Sequence, residues 1–331
     1  MKMLFANEAC VHRLLGMREC IALLRRALEA FARGEAVQPL RSLVRVPGGH
    51  GLLGVMPGCL GEPRSLGIKV ITVMPGNLGT GYESHQGAVL LFGLEHGEPV
   101  AVLDASAITA IRTAAASALA TDALARADAG DLAILGSGTQ ARTHLEAMAC
   151  VRTLRRVRVW SRTRSRADAF VRAHAALAPV PIEVMADADA AVRGADLICT
   201  TTASATPIVR GEALAPGAHL NAVGACTPAT RELDAEAIRR SRLYTDCRES
   251  CLAEAGDFLL ARAEGAIDDA HLLGELGEVL IGRVPGRQGR DDVTLYESLG
   301  IALEDLAAAH GVHTRALAER AGEWLEWGGP A

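Results

Sequence analysis

Residues 131–141 read DLAILGSGTQA. The apolar run 132–135 has the length of a buried strand, and it ends in Gly136-Ser137-Gly138, with Ala141 three residues later. A strand that leads through G-x-G-x-x-A into a helical pattern is typical of dinucleotide binding. The first glycine makes the tight turn, and the second lets the backbone approach a pyrophosphate at the helix N-terminus. An ordinary strand-turn-helix unit can carry the same motif, but the flanking residues favour a nucleotide site.

The predicted dinucleotide contacts within this stretch are Gly136, Gly138, Thr139, Gln140 and Ala141. The next predicted strand, residues 157–160, is followed by Ser161-Arg162-Thr163. In NAD-binding proteins an Asp or Glu near this point binds the ribose hydroxyls, whereas an Arg accommodates the 2′-phosphate of NADP. No acid is present here, and a planar guanidinium suits a phosphate. We therefore predict that NADP(H) is preferred over NAD(H).

The composition narrows the class of protein. Half of the 331 residues are hydrophobic and 22% are charged, which is typical of a globular chain of about two domains. A net charge of -5 argues against a protein that mainly binds nucleic acid or an anionic membrane. Six arginines lie between positions 155 and 166. They could form a nucleic-acid patch, but single-strand binding normally interleaves aromatic residues, and Trp160 is the one aromatic there.

The eight cysteines are scattered without a C-x-x-C spacing. We expect reduced, mostly buried thiols in a cytoplasmic protein. Cys247 and Cys251 are four residues apart, but no histidine lies near them in sequence, so we assign no metal. The N-terminal residues lack the apolar region of a signal peptide, and no stretch approaches the ~18 apolar residues of a membrane helix.

The order of the predicted elements indicates an α/β protein. Residues 17–33 have the periodicity of an amphipathic helix that ends at Gly34. Short β-type runs over residues 38–104 indicate an antiparallel sheet, and residues 107–127 are helical. Strands and helices then alternate from residue 131 to 245, which predicts parallel βαβ units with right-handed crossovers. Residues 251–281 look helical and irregular, and a last helix is predicted over residues 299–327.

Cations beside apolar runs are the first candidates for chemistry. Lys69 shares a predicted strand face with Ile71 and Val73. A buried lysine is rare and shifts its pKa readily, so it is a candidate proton donor or carboxylate ligand; an edge-strand lysine that reaches water is the alternative. Arg45 and Arg112 could clamp a carboxylate, although lone arginines usually form surface salt bridges. His85 lies in a glycine-bounded loop, as a turn residue or a catalytic acid.

Several segments together resemble the ornithine cyclodeaminase/μ-crystallin family over nearly the whole chain. They are residues 83–121, 132–148 and 157–163, GAHLNAVGACTPATRELD at 217–234, ELGEV at 275–279 and TLYESLGIALED at 294–305. The resemblance implies a homodimer with a Rossmann domain, residues 113–298, inserted in a second α/β domain. That second domain, residues 1–112 plus 299–331, carries the dimer interface and the substrate pocket.

The resemblance also implies roles for individual residues. Arg45, Lys69 and Arg112 fall at the family's substrate-carboxylate positions, with His85 nearby as a further substrate contact. Further dinucleotide contacts implied in the same way are Thr113, Ser161, Arg162, Thr163, Val223 and Ser298.

The branch within the family depends on residues 224–228, which read GACTP. Cyclodeaminases have an aspartate where Cys226 stands, and a neutral thiol cannot accept a proton or hold an ammonium group as a carboxylate does. The segment is more similar to μ-crystallin. The resemblance then implies an NADPH-dependent reductase of cyclic imino acids, with Lys69 and Cys226 as catalytic candidates. Ornithine cyclodeaminase or alanine dehydrogenase chemistry and an NADPH-dependent small-molecule binding protein are the alternatives.

Overall fold

The computed structural model describes residues 2–77 and 80–328, and the chain divides into two compact units. Unit 1 comprises the residues up to Arg112 and those from Ile301 onward, and unit 2 comprises Thr113–Gly300. The α/β class predicted from the sequence is confirmed. The strands and α-helices, in chain order, are β1 Lys2–Ala6, α1 Glu8–Leu14, α2 Met17–Ala32, β2 Ala36–Val37, β3 Ser42–Arg45, β4 Leu52–Leu60, β5 Ser65–Val73, β6 His85–Phe92, β7 Pro99–Asp104, α3 Ala105–Leu124, β8 Asp131–Leu135, α4 Thr139–Val151, β9 Arg156–Trp160, α5 Arg164–His174, β10 Ile182–Val184, α6 Ala188–Val192, β11 Leu197–Thr200, β12 His219–Ala222, α7 Ala235–Arg240, β13 Ser241–Thr245, α8 Arg248–Glu254, α9 Gly256–Ala263, β14 Leu272–Glu275, α10 Leu276–Leu280, β15 Val293–Glu297, α11 Ala302–Glu319 and β16 Glu323–Glu326.

Unit 1 is built on one sheet with the strand order β16-β1-β7-β6-β5-β4-β2, and β3 also pairs with β4. Its pairs are antiparallel except for β1 with β7. Helix α11 packs on one face of this sheet. A Cβ added at Gly67 would lie 2.7 Å from Cδ2 of Leu306, and one at Gly58 would lie 3.3 Å from Cβ of Ala302. The glycines therefore let α11 lie directly on β4 and β5.

The opposite face of the same sheet is apolar but only half-buried. Cross-strand register puts its side chains on one surface that runs over β4, β5, β6 and β7. The half-buried apolar residues of this surface are Leu53, Val55, Pro57, Cys59, Leu66, Ile68, Val70, Leu90, Phe92 and Val102. We call this surface the open sheet face.

Unit 2 is a doubly wound parallel sheet with the order β10-β9-β8-β11-β12-β15-β13-β14. All of its strand pairs are parallel. The first five strands follow the 3-2-1-4-5 order of a Rossmann fold, whose ligands bind where the strand order reverses, outside the carboxyl ends of the strands. That point lies at β8 and β11, so the predicted Rossmann-type sheet is confirmed, with the glycine motif at its switch point.

Five strands and the end of the last helix differ from the sequence prediction. Strands β1, β2, β14, β15 and β16 were not predicted, because each is short and lacks a regular alternation of apolar and polar residues. The last helix ends at Glu319 rather than near residue 327. Arg320 adopts a left-handed conformation with φ of 52°, and Gly322 has φ of 83°, so the chain turns back and β16 pairs with β1.

Two observations concern the cysteines and the helices. All eight cysteines are free thiols. The sequence predicted that most of them are buried, whereas four are buried and four are half-buried. In the described part of the chain, no helix combines the length and the apolar character required to cross a membrane.

Candidate active site

A buried network of four charged side chains lies in unit 1. Nζ of Lys69, on β5, donates to both carboxylate oxygens of Asp305, on α11, at 3.1 and 3.2 Å. Nε of Arg112, on α3, donates to Oδ1 of Asp305 at 2.9 Å, and its Nη1 donates to Oε2 of Glu304 at 2.7 Å. Lys69 is 3% exposed, Arg112 5%, and both acids 0%. Two cations are thus matched by two carboxylates away from water.

Strand and helix geometry account for this network. Side chains alternate along a strand, so Lys69 shares the α11-facing side of β5 with Gly67 and Ile71, which are also buried. Glu304 and Asp305 occupy the first turn of α11, where the helix dipole favours negative charge. An unpaired charge in such a place costs several kcal/mol. The four groups therefore depend on one another, and the sequence prediction of a buried Lys69 matches its place in the sheet.

The network shifts the pKa of both cations. Burial lowers the pKa of Lys69 to about 8; Asp305 acts in the opposite direction, and the positive charges of Arg112 and Arg41 add to the lowering. Burial also opposes the charge on Arg112, but its ion pairs with Asp305 and Glu304 outweigh burial and raise its pKa above the ordinary value. Arg112 is thus permanently charged, whereas Lys69 exchanges its proton near neutral pH.

Arg41 is a cation that the sequence analysis did not single out. It lies one residue before β3, where Ser42 is opposite Val55. Continuing that register places Arg41 opposite Met56, which is itself opposite Lys69. The position agrees with the effect of its charge on the pKa of Lys69. Arg41 comes just before the predicted strand that carries Arg45. A second cation at that place was the sequence signal for this residue.

Arg45 and His85 share a second row on the same side of the sheet. Arg45 is opposite Leu52, Leu52 is opposite Val73, and Val73 is opposite His85. Val73 lies four residues along β5 from Lys69, which is about 13 Å at the rise of a strand. Arg45 is exposed, and its guanidinium forms no ion pair within the described residues. The network and the Arg45–His85 row are therefore separate groups on one face.

The charge of Lys69 nevertheless affects the pKa of His85. Its pKa is lowered by burial first and by Lys69 second, while Glu83 acts in the opposite direction. Nδ1 of His85 lies 2.9 Å from Oγ of Ser84. His85 is the first residue of β6 rather than a loop residue, so the sheet fixes its backbone, and the lowered pKa favours the neutral imidazole.

The two carboxylates of the network were also missed by sequence reasoning. The segment ALEDLAAAH at 302–310 is apolar except for Glu304, Asp305 and the terminal histidine. An acid pair inside an alanine- and leucine-rich helix is costly to bury without cationic partners. That mismatch was the available signal, but the partners lie on β5 and α3, and only the folded chain brings them together.

The glycine motif of unit 2 has the geometry of a dinucleotide site. Gly136, directly after β8, has φ of 127°, and a Cβ there would lie 2.5 Å from Oγ1 of Thr201. Gly138 is the N-cap of α4 without a side-chain cap, and a Cβ there would meet no atom within 4 Å. The N–H groups of the first helical turn, at Thr139, Gln140 and Ala141, lack intrahelical partners. Open space over free N–H groups fits a pyrophosphate.

The residues after β9 fit the adenosine end of such a cofactor. Oγ of Ser137, in the glycine turn, donates to Oγ of Ser161 at 3.0 Å. Thr163 is the N-cap of α5 and makes no side-chain cap bond. Arg162 is exposed, and within residues 2–77 and 80–328 its guanidinium has no ion-pair partner. Its neighbour Arg164 pairs with Asp168. Arg162 is therefore available to a ligand phosphate.

Val223, Cys226 and Ser298 lie at the carboxyl ends of β12 and β15. The N–H of Val223 donates to the carbonyl of Thr200, and that of Ser298 donates to the carbonyl of Ala222. Sγ of Cys226 lies 3.2 Å from the carbonyl oxygen of Val223 and 3.6 Å from that of Ser298. Carbonyl oxygens only accept, so the S–H group of Cys226 is the donor, and it lies between the two loops. Thr113 is buried in the middle of α3.

Glu232 is a further residue of this edge that sequence reasoning missed. Its Oε1 accepts from N and Oγ1 of Thr202, at 2.7 and 2.6 Å, and its Oε2 accepts from N of Gly224 at 2.7 Å. One buried carboxylate thus fixes the loops after β11 and β12. Burial raises the pKa of Glu232, and burial together with the charge of Glu232 raises that of Asp257 to about 7.

Comparison with known proteins agrees with this geometry. Residues 1–320 match the model of the "Ornithine cyclodeaminase/mu-crystallin family". The chain belongs to this family. The resemblance inferred from the sequence motifs is therefore confirmed.

Three proteins illustrate the range of the family. The ketimine reductase mu-crystallin of Mus musculus is 41% identical over 293 residues, which are 88% of this chain and 90% of that protein. The structure of Thermococcus litoralis Delta(1)-pyrroline-2-carboxylate reductase in complex with NADH and L-proline is 33% identical, with a TM-score of 0.94 over 97% of this chain and 99% of that one. An archaeal alanine dehydrogenase dimer with bound NAD is 30% identical, with a TM-score of 0.93 over 99% and 100% of the two chains.

Proposed function

We propose that this chain is an NAD(P)H-dependent reductase of cyclic imino acids, such as a pyrroline or piperideine carboxylate. The observation that carries the proposal is the buried Lys69 of unit 1, held on the sheet by Asp305. It stands in a chain whose unit 2 carries an open helix N-terminus after a glycine turn. The mu-crystallin and pyrroline-carboxylate reductase relatives support the same reaction class.

The chemistry divides between the cofactor and the side chains. A bound reduced nicotinamide supplies a hydride to the carbon of the C=N bond, and the nitrogen must gain one proton to give the cyclic amino acid. Lys69 is the proposed proton donor. A group whose pKa lies at about 8 is mostly protonated at neutral pH and still gives up its proton readily, which is the requirement for a general acid.

The substrate carboxylate is the second requirement. Arg45, Lys69 and Arg112 are the proposed carboxylate ligands, with His85 as a further contact. We add Arg41, because continuing the β3–β4 register puts it in the row of Lys69. Lys69 and Arg112 are already matched by Asp305 and Glu304. We therefore infer that the exposed Arg45 contributes positive charge that attracts an anion.

For the cofactor, we propose contacts to the pyrophosphate from the turn and the first residues of α4, Gly136 to Ala141. Ser161, Arg162 and Thr163 would hold the adenosine ribose and its 2′-phosphate, and Thr113, Val223 and Ser298 would contact the rest of the dinucleotide. A preference for NADP(H) is part of the proposal, supported by the unpaired Arg162 and by the absence of an acid at the end of β9. Both cofactors belong in the test.

Cys226 separates this function from ornithine cyclodeaminase chemistry. A thiol whose one hydrogen faces backbone carbonyl oxygens lacks the negative charge with which a carboxylate accepts a proton or holds a substrate ammonium group. Alanine dehydrogenase is the second candidate, since the archaeal enzyme shares the fold over the full chain. It differs in substrate, an open-chain 2-oxo acid with ammonia, and so the two activities are distinguishable by assay.

The direct test follows the loss of reduced-nicotinamide absorbance with purified protein, NADPH or NADH, and five- and six-membered cyclic ketimine carboxylates. Pyruvate with ammonia is the alanine dehydrogenase control. Turnover of a ketimine with NADPH preferred is expected. Conversion of ornithine to proline without ketimine reduction would refute the proposal, and tight ligand binding without cofactor oxidation would indicate a binding protein.

We further propose that the protein is a cytoplasmic homodimer, whose interface lies within the domain of residues 1–112 and 299–331. The open sheet face supports a dimer, because a contiguous apolar surface on a monomer marks an interaction site. A two-fold axis would pair the face with itself. The archaeal alanine dehydrogenase is described as a dimer, and eight free thiols agree with a reducing compartment.

The dimer is tested at Ile68, which lies between Pro57 and Leu90 on the open sheet face. Ile68→Glu is expected to weaken self-association roughly 30-fold or more, because it would bury a charge in an apolar interface. Light scattering across a dilution series measures the change. Leu317→Glu adds the same charge at an exposed position of α11 and is expected to leave the dimer intact. Equal effects of the two variants would contradict this choice of interface.

A further inference from the structure

We propose that Asp305 is the positioning residue of Lys69, which holds the lysine ammonium group protonated and fixed on the sheet inside the buried site. The proposal deepens the proposed function, because the use of the ammonium group rests on ketimine reduction. The contact itself rests on geometry alone. Both carboxylate oxygens of Asp305 accept from one Nζ.

The contact restrains Lys69 in a way that a lone ion pair on the surface would not. A lysine side chain has four carbon atoms between its backbone and its charge, and it normally samples many rotamers. Here the backbone is held in the middle of β5, between β4 and β6, and the ammonium group meets a fully buried carboxylate on α11. Sheet and helix therefore restrain the two ends of the side chain separately.

Asp305 is itself held in place by a second cation. Nε of Arg112 donates to the Oδ1 atom of Asp305 that also accepts from Lys69. The second nitrogen contact of Arg112 goes to Glu304. Arg112 therefore orients the carboxylate that orients Lys69.

The adjacent acid of α11 provides a matched comparison. Glu304 and Asp305 share the helix turn and complete burial, and each accepts from Arg112. Only Asp305 contacts Lys69. Replacing either acid by its amide removes one negative charge from the same buried network, but only Asp305→Asn removes it from beside the lysine.

Other ionisable groups around Lys69 act on it in known directions. Arg112 and Arg41 favour loss of its proton, and His85 on β6 is neutral because burial lowers its pKa. Helix α2 contributes the buried thiol of Cys20, whose pKa is raised by burial and by Glu304, so it stays uncharged. Asp305 is the group that opposes the proton loss. Its removal should therefore make Lys69 give up its proton at lower pH.

The chain has two lysines, Lys2 and Lys69, which makes the test direct. Protein isotope-labelled at the lysine Cε gives two signals by NMR, and the signal absent from Lys2→Arg identifies Lys2. In the wild type, the Lys69 signal is expected to titrate near pH 8. In Asp305→Asn its midpoint is expected to fall by about one to three pH units. Glu304→Gln is expected to shift it less.

A Lys69 midpoint that is the same in Asp305→Asn and wild type would overturn the proposal, as would an equal shift in Glu304→Gln. If Asp305→Asn does not fold, hydrogen exchange in the wild type tests the proposal instead. The ammonium protons of Lys69 are expected to exchange with solvent far more slowly than those of Lys2, and equally fast exchange would overturn the proposal. Neither measurement depends on turnover.

The pH dependence of kcat/KM for ketimine reduction then separates this proposal from the proposed function. If Lys69 donates the proton, the alkaline limb of the profile follows the NMR midpoint in wild type and in Asp305→Asn. Asp305→Asn could shift the NMR midpoint of Lys69 and leave the alkaline limb of the kcat/KM profile unchanged. That result would support Asp305 as the positioning residue and would contradict Lys69 as the proton donor. If a ketimine is not turned over at all, the NMR result alone stands.

Discussion

The two candidate binding regions of this protein consist of different chemical groups. In unit 1 the site consists of long charged side chains, Lys69, Arg112, Glu304 and Asp305, buried and paired with one another. In unit 2 it consists of a glycine turn, a helix N-terminus and backbone groups. Backbone groups are sufficient to bind a dinucleotide cofactor. Proton transfer to the substrate requires a titratable side chain whose pKa the fold adjusts.

The difference extends to the buried polar residues around each site. Unit 1 buries Lys69 and Arg112 in ion pairs with Asp305 and Glu304. Unit 2 buries acids such as Glu232, which backbone and hydroxyl groups hydrogen-bond, together with two histidines. Burial lowers the pKa of His144 to about 4 and that of His219 to about 3. Unit 2 thus relies on backbone and hydrogen-bonded groups around its glycine turn, and unit 1 relies on paired charges. Each of the following predictions tests one side of this contrast.

The largest effect is expected at Lys69. Lys69→Met retains the length of the side chain but removes the proton, so kcat/KM for ketimine reduction is expected to fall about 10²- to 10⁴-fold. NADPH binding, measured by fluorescence titration, should be unchanged because the cofactor contacts belong to unit 2. Lys2→Met is the control. Unchanged turnover in Lys69→Met would show that the charged network of unit 1 is structural only.

The neutral state of His144 predicts a loss of stability in acid. Nδ1 of His144 donates to the carbonyl of Gln140 at 2.7 Å, and Nε2 lies 2.9 Å from Oγ of Ser117. Because the folded pKa is depressed to about 4, the stabilising contribution is complete above the unfolded value near 6.5. It is lost as the pH falls from about 6.5 to about 4, to a total of about 3 kcal/mol.

Urea titrations of wild type and His144→Gln across this pH range measure that contribution as a difference. The difference is necessary because Asp257, with its pKa raised to about 7, changes stability in the opposite direction as the pH falls. A wild type and variant that lose stability in parallel between pH 6.5 and 4 would contradict a neutral buried His144.

The backbone character of the unit 2 site is tested by a pair of glycine substitutions. Gly136→Ala places a Cβ 2.5 Å from Thr201 at a φ of 127°, and it is expected to destabilise the fold by about 1–3 kcal/mol. Gly138→Ala meets no atom within 4 Å, so stability should be nearly unchanged while NADPH affinity falls, since the Cβ fills the space for the pyrophosphate. Thermal unfolding and NADPH titration separate the two effects, and equal destabilisation would disprove the distinction.

The smallest effect is expected at the one charged side chain proposed for unit 2. Arg162→Ala should weaken NADPH binding about tenfold, the lower range of a lost charge-assisted hydrogen bond, and leave NADH binding nearly unchanged. Arg164→Ala is the matched control, since Arg164 already pairs with Asp168. Equal loss of both cofactors in Arg162→Ala would remove the basis for NADP(H) preference.

Prediction from the sequence succeeded where the signal is local. Neighbouring residues determine the periodicity of α2, its end before Gly34 and the β8-turn-α4 unit. Each of these elements is found within a few positions of its predicted limits. Strands β1 and β16 have no such signal. They are held by pairing with each other across the whole length of the chain, and a pairing of that kind leaves no periodicity in either segment.

The candidate site divides along the same line. Lys69 and Arg112 attract notice as cations among apolar residues, and the glycine motif identifies itself by spacing and flanks. The partners of the cations, Asp305 and Glu304, lie 192 or more positions away in sequence. The placement of Arg41 beside Lys69 required the strand register, because side-chain proximity across a sheet depends on which residues are opposite.

By itself, therefore, the sequence determined the α/β class, the dinucleotide motif, the family and the identity of a lysine that could carry a proton. The tertiary structure decided which groups surround that lysine and hence its pKa. The physical reason is that backbone preferences act between near neighbours, whereas burial and Coulomb interactions act between whatever groups the fold brings within a few ångströms. Lys69 is a candidate by composition, and it becomes an acid of pKa about 8 only when β5 and α11 meet.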